Sequence, residues 1–220
     1  ERVQERTLEL AEANARLRRM SIRLLEVQEA ERRFLARELH DEAGQLLTGL
    51  KMVVDRSMTI APDPLRVRLT EAVELIELLT SRMRNLSLEL RPQMLDDLGL
   101  LAALESHFNR YLKQTDITVN FRHTPSWKRL PVILETALFR ITQEALTNIA
   151  RHAQVREAAV RLWADAERVG LQIEDKGKGF DVDEAFAARI SSGLSGMRER
   201  AGLLGGEFTL ESKPGGGTLL

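Results

Sequence analysis

The chain has 220 residues, enough for one large or two modest domains, and at 43% hydrophobic and 30% charged it can fill cores and stay in solution. Its 32 basic and 33 acidic residues leave a formal charge of −1, which gives no electrostatic footprint for DNA, RNA or an anionic membrane, so no nucleic-acid partner is expected. The lack of cysteine excludes disulfides and cysteine-based zinc sites, and the four histidines, His40, His107, His123 and His152, are scattered rather than spaced as metal ligands.

The pattern is helical from residue 1 to about 60. Val3, Leu10, Leu17 and Leu24 recur every seven residues, each followed three later by an apolar residue except at Arg6, as in a coiled-coil seam. Ala36, Leu39, Ala43, Leu46, Leu50 and Val53 form a second stripe in a different frame, with a phase slip between Val27 and Ala36 that would change the winding locally. Pro62 and Pro64 end this helix, and another is expected from about Leu65 to Leu90, with Leu65, Leu69, Ile76, Leu79, Met83 and Leu86 on one side. Two amphipathic helices joined by a short turn make a hairpin, and one hairpin cannot cover both of its apolar faces. Dimerisation into a four-helix bundle is therefore expected.

Beyond Pro92 the pattern becomes mixed. A short helix is expected over Leu98–Phe108, a strand around Ile117–Phe121, and a helix over Val132–Ala150 with Pro131 at its start. Two alternating segments, Val160–Ala164 and Val169–Ile173, read as a hairpin turning near Asp165–Arg168. Ser195–Leu204 reads as a helix closed by Gly205–Gly206, and Phe208 and Leu210 as the start of another strand. Helices on one face of a mainly antiparallel sheet make an α+β sandwich. The domain boundary is expected near residues 91–105.

Two groups of residues carry chemistry. On the first helix, His40 follows the seam residue Leu39 and should point toward solvent. A neutral imidazole is a competent nucleophile, Asp41 can accept the proton of one ring nitrogen, and Gln45 stands about 7.5 Å further along the axis. A His-Asp pair alone is a weak pattern and also describes an ordinary surface histidine. Downstream, Arg140, Glu144, Asn148 and His152 lie four apart, so they share a helix face that is either solvated or lines a pocket. Asn148 can offer an amide oxygen to Mg²⁺, Glu144 can hold a metal-bound water, and Arg151 and His152 can meet phosphate. Three glycine clusters follow in order: Asp175-Lys-Gly177-Lys-Gly179, Gly193-Leu194-Ser-Gly196, and Gly215-Gly216-Gly217-Thr218. Glycine lets a backbone turn tightly and approach a ligand, and a helix N-terminus beside glycine offers amides to phosphate.

At these residues the chain resembles sensor histidine kinases of the NarL/DesK type, from about residue 28 to the end. Glu31-Arg-Arg-Phe-Leu-Ala-Arg-Glu-Leu-His40-Asp41-Glu-Ala-Gly-Gln45 resembles the phosphoacceptor box, and Leu90-Arg-Pro-Gln-Met-Leu-Asp-Asp-Leu-Gly-Leu the linker. Gln143–His152 resembles the N box of the Bergerat fold, and the three glycine clusters its glycine boxes. The resemblance implies an all-α helical hairpin (a four-helix bundle as a homodimer) followed by an α+β Bergerat-fold (GHKL) sandwich domain. Its divisions would be residues 1–30 as a coiled-coil signalling helix, 31–92 as the dimerisation and phosphotransfer hairpin, and 93–220 as the ATP-binding domain. It implies that His40 takes the γ-phosphate of ATP, Asp41 is its general base, and Gln45 orients the water that dephosphorylates a response regulator. Asn148 would hold Mg²⁺ with Glu144 nearby, Arg151 and His152 would face phosphate, and Asp175 would read adenine with Thr218 in support. Gly177, Gly179, Gly193, Leu194 and Gly196 would line the nucleotide, with the ATP lid between Gly179 and Gly193. The partner would be the receiver domain of a response regulator, and a sensor or membrane domain would lie upstream. No apolar run reaches the ~20 residues of a membrane helix and no signal peptide opens the chain, so a soluble, cytoplasmic core of a larger protein is expected. Two other readings remain: an inert coiled-coil dimer carrying an ATP-binding scaffold, and an ATPase of the same fold that drives a clamp.

Overall fold

A computed structural model describes residues 2–125, 127–165, 167–187 and 192–220. The chain forms two compact units: residues 23–93, and residues 94–220 together with those up to Ile22. No helix among the described residues is long and apolar enough to cross a membrane.

The first unit is a helical hairpin. Helix α1 (Arg2–Glu38) enters it, passes through a π-helical turn at Leu39–Ala43, and continues as α2 (Gly44–Ile60). The helix is regular between Val27 and Ala36, where the apolar phase slips; the winding changes a turn later, at the π turn. Ala61 leaves the helix in the extended region because the ring of Pro62 disfavours α geometry in the residue before it. Helix α3 (Asp63–Leu90) begins two residues earlier than expected. Pro64 belongs inside its first turn, where a missing N–H breaks no helical hydrogen bond.

Leu47, Val54 and Met58 of α2, Ala61 just after it, and Val73, Ile76, Thr80 and Met83 of α3 are half-buried or buried where the two arms meet. Lys51 Nζ bridges the arms at 2.5 Å from Glu77 Oε1. Three members of the expected stripe lie outside this seam: Leu46 is 74% exposed, Val53 63% and Leu50 50%. With Leu75, Leu79 and Leu86 on α3, these residues leave the hairpin with uncovered apolar surface.

After the hairpin the chain runs through α4 (Gln93–Asp97) and α5 (Leu100–Thr115), separated by Gly99 at φ 87°. The helix expected at Leu98–Phe108 thus begins later and ends later, closed by Asp116 in the left-handed conformation. Strand β1 (Thr118–His123) is followed by α6 (Val132–Asn148), a second π turn at Ile149–Ala153, β2 (Glu157–Ala164) and β3 (Val169–Asp175). Helices α7 (Val182–Ala187) and α8 (Ser192–Leu203) and the two-residue strands β4 (Glu211–Ser212) and β5 (Thr218–Leu219) complete it. Helix α7 was not expected, and β4 is shorter and later than the strand expected from Phe208.

The sheet order is β1-β2-β3-β5-β4. β1 and β2 are parallel, with α6 as the crossover between them, and the other pairings are antiparallel. The β2–β3 hairpin turns where expected: Asp165 Oδ1 accepts the amides of Glu167 and Arg168, both at 2.8 Å, and these bonds hold its carboxyl below the usual carboxylate range. On β2 only Ala158, Val160 and Leu162 face inward, so one side of the sheet is packed and the other wet. The core joins Leu104, Phe108 and Tyr111 of α5, Phe139 and Leu146 of α6, Met197 of α8 and the inward strand residues. The Tyr111 hydroxyl donates to the Leu146 carbonyl at 3.0 Å, tying α5 to α6, and burial pushes its pKa up to about 12. His107 packs against Phe139 at 5.6 Å between ring centroids, while His123 is exposed.

Candidate functional site

In the hairpin unit the π turn carries His40 and Asp41, and both side chains are exposed. A π turn widens the helix by one residue and is found disproportionately at functional positions. An open groove of about 510 Å³ is lined by His40, Asp41 and Gln45, so the three residues singled out from sequence share one surface. Thr48 of α2 and Thr80 and Arg84 of α3 also line it. Sequence reasoning missed Arg84; the signal was its position one turn after Thr80 on a helix facing the histidine arm. The groove therefore offers an accessible imidazole, a neighbouring carboxylate, an amide and a guanidinium.

In the sheet unit the expected polar row on α6 divides. Arg140 is buried and donates to Gln143 Oε1 at 2.9 Å. Glu144 and Asn148 are half-buried, one turn apart. The π turn then replaces the last α turn, burying Ile149 and Ala153 and leaving Arg151 and His152 exposed. Among the described residues no three His, Cys, Asp or Glu side chains cluster as a metal site. Glu144 and Asn148 supply two oxygen-bearing groups, a set that suits an ion which takes its remaining ligands from phosphate and water.

Asp175 ends β3 with 6% of its surface exposed, and its Oδ1 accepts the Gly177 amide at 2.8 Å. Thr218 stands opposite it in the β3–β5 register. Ser212, which sequence reasoning also missed, fastens this region: its Oγ accepts the Phe180 amide at 3.0 Å, donates to the Gly217 carbonyl at 2.8 Å and lies 3.3 Å from Thr218 Oγ1.

The glycines serve two purposes. A Cβ on Gly177 would strike the Ala153 carbonyl, one on Gly179 (φ 56°) the Lys213 carbonyl, and one on Gly217 (φ 75°) the Asp175 carbonyl. The first and third clusters are thus interlocked backbones, bonded also from the Lys178 amide to the Ala153 carbonyl at 3.1 Å and from the Gly215 amide to the Lys178 carbonyl at 2.6 Å. These close approaches are between protein backbones. Gly193 lies in the first turn of α8 against the Glu144 carboxylate, and Leu194 packs on the core. Gly196 is exposed, and its Cβ would have open space around it. Of the stretch expected to form a lid, residues 188–191 lie outside the described residues.

Residues 31–95 match the family described as "Histidine kinase", and residues 133–220 match the family described as "Histidine kinase-, DNA gyrase B-, and HSP90-like ATPase". The chain is 36% identical over 211 residues to the sensor histidine kinase MctS of Rhizobium johnstonii, covering 94% of this chain and 46% of that protein. It is 34% identical over 203 residues to the signal transduction histidine-protein kinase/phosphatase DegS of Brevibacillus brevis, covering 90% and 52%. It is 36% identical over 208 residues to the oxygen sensor histidine kinase NreB of Staphylococcus carnosus, covering 92% and 58%. The chain spans about half the length of these curated relatives.

Proposed function

Because the chain belongs to the sensor histidine kinases of the NarL/DesK type, we propose that it phosphorylates His40 with ATP and passes the phosphoryl group to an aspartate of a response-regulator receiver domain. The observation that carries this reading is the exposed imidazole in an open groove with Asp41 and Gln45, on a chain that also bears an ATP-binding domain.

One ring nitrogen of His40 attacks the γ-phosphorus as the bond to the ADP oxygen breaks, and Asp41 takes the proton from the other ring nitrogen. Such a transfer needs positioning and charge neutralisation more than covalent machinery. Asp175 accepts a hydrogen bond from the adenine amino group through the oxygen that Gly177 leaves free, and Thr218 supports it. Arg151, His152 and the amides around Gly193, Leu194 and Gly196 receive the phosphates. Mg²⁺ would be held by Asn148 with Glu144 and would neutralise charge on the phosphate oxygens. Gln45 orients water for the reverse output, dephosphorylation of the regulator. Uncovered Leu46, Leu50 and Val53 favour a homodimeric four-helix bundle. In this division residues 1–30 carry the signal, 31–92 dimerise and accept phosphate, and 93–220 hold the nucleotide. We read the chain as the cytoplasmic core of a larger protein whose sensor or membrane domain lies upstream.

Incubation with γ-labelled ATP tests the reading. His40→Gln is expected to abolish incorporation while ATP still binds; label retained on that variant would remove His40 as the acceptor.

A further inference from the structure

The groups outside the proposed chemistry include one buried ion pair at the point where the hairpin ends. Arg91 Nη1 lies 3.1 Å from Glu29 Oε2, with the arginine side chain 2% exposed and the glutamate 12%. The second carboxylate oxygen of Glu29 is 3.7 Å from Arg32 Nη1. We propose that this pair is a clasp joining the incoming helix to the link between the hairpin and the nucleotide-binding unit, and that Arg91 is a positioning residue for phosphoryl transfer to His40. The inference rests on the kinase reading above.

Arg91 and Pro92 are the two non-helical residues between α3 and α4. Arg91 is extended, at φ −165° and ψ 120°, as the following proline requires, and proline fixes its own φ. The link therefore has few soft torsions, and both of its residues are buried. The last turn of α3 is also bonded to α1: the buried Ser87 hydroxyl donates to the Ala36 carbonyl at 2.9 Å, and the Arg91 amide donates to the Ser87 carbonyl at 3.0 Å. Ala36 lies one turn before His40, and Glu29 two turns before Ala36. Beyond the link, Arg129 Nη2 donates to the Asp96 carbonyl at 3.2 Å and its Nε lies 3.3 Å from buried Glu135. The chain is thus held on both sides of Arg91–Pro92.

A buried ion pair is a poor way to gain stability, because well-packed apolar residues of similar volume often do as well or better. What it adds is a fixed pairing of partners. Here that pairing makes a displacement of α1 at Glu29 carry Arg91, and with it the link, instead of being absorbed in a pliable apolar contact.

The test uses the full 220-residue chain, measuring the rate of His40 labelling and, separately, the affinity for a fluorescent ATP analogue. Arg91→Met is expected to slow labelling by roughly tenfold to a hundredfold, the scale of a small misplacement of reacting groups, with nucleotide affinity unchanged. The reversed pair E29R/R91E is expected to recover rate, and the apolar pair E29M/R91M to fold without recovering it. Labelling of R91M at the unsubstituted rate would overturn the proposal. So would a parallel loss of nucleotide affinity, a reversed pair no faster than R91M, or equal rescue by the methionine pair, which would reduce the clasp to packing. An unsubstituted chain that takes up no label would remove the kinase reading, and this inference with it.

Discussion

Gly179 and Gly196 occupy similar glycine clusters, yet their surroundings assign them different work. Gly179 has φ 56° and is pressed against the carbonyls of Lys213 and Gly217, so a methyl group there meets both backbone strain and backbone atoms. Gly179→Ala is expected to destabilise the sheet unit by about 2 kcal/mol or more in denaturant titration. Gly196 lies in α8 with open space around it, and Gly196→Ala should leave stability unchanged or raise it by roughly 0.5–1 kcal/mol. Equal losses in the two variants would contradict this division. His107 gives a second test at this scale. Burial first, and then the Arg110 guanidinium, lower its pKa from 6.5 to about 4. The unfolded chain therefore binds a proton below pH 6.5 that the folded chain refuses until about pH 4, and stability falls as pH drops through that window. The shift corresponds to something on the order of 3 kcal/mol. His107→Phe should flatten this stretch of the pH–stability curve; an unchanged slope would refute the assignment.

At the scale of elements, the helical hairpin is legible because its punctuation is local. Pro62 restricts Ala61, Pro64 suits a first turn, and apolar spacing supplies the rest. The stripe from Ala36 to Val53 reads as one face, but packing divides it. Ala36 is buried and Leu39 and Ala43 are half-buried, whereas Leu46, Leu50 and Val53 stay uncovered and the half-buried positions beside them are Leu47 and Val54. Leu50→Glu should therefore spare the hairpin's helicity and turn a dimer into a monomer in sedimentation; a dimer of unchanged affinity would count against that face as the interface. The π turns at Leu39–Ala43 and Ile149–Ala153 have no signature in the sequence pattern, since i→i+5 bonding depends on what the widened turn packs against. They fall at the two polar clusters found from sequence, so the clusters were visible where their backbone geometry was not. The order of the glycine clusters was likewise readable, but the interlock of Gly179 with Lys213 was not, because it joins backbones 34 positions apart.

At the scale of the molecule, the legible part is the change of pattern along the chain and the illegible part is long-range pairing. The switch from helical to mixed pattern after Pro92 announces an α+β region. The parallel pairing of β1 with β2 depends on α6 crossing over, and the Arg91–Glu29 pair spans 62 positions, beyond any local rule. The kinase reading adds one demand: a nucleotide held by one unit must deliver its terminal phosphoryl group to an imidazole on the other. The most direct test of that demand is the chemistry of the label on the unsubstituted chain after incubation with γ-labelled ATP. The account predicts phosphate that survives alkali, is lost in acid and maps to the peptide bearing His40. Acid-stable label, or ATP hydrolysed to free phosphate with none left on the protein, would contradict it.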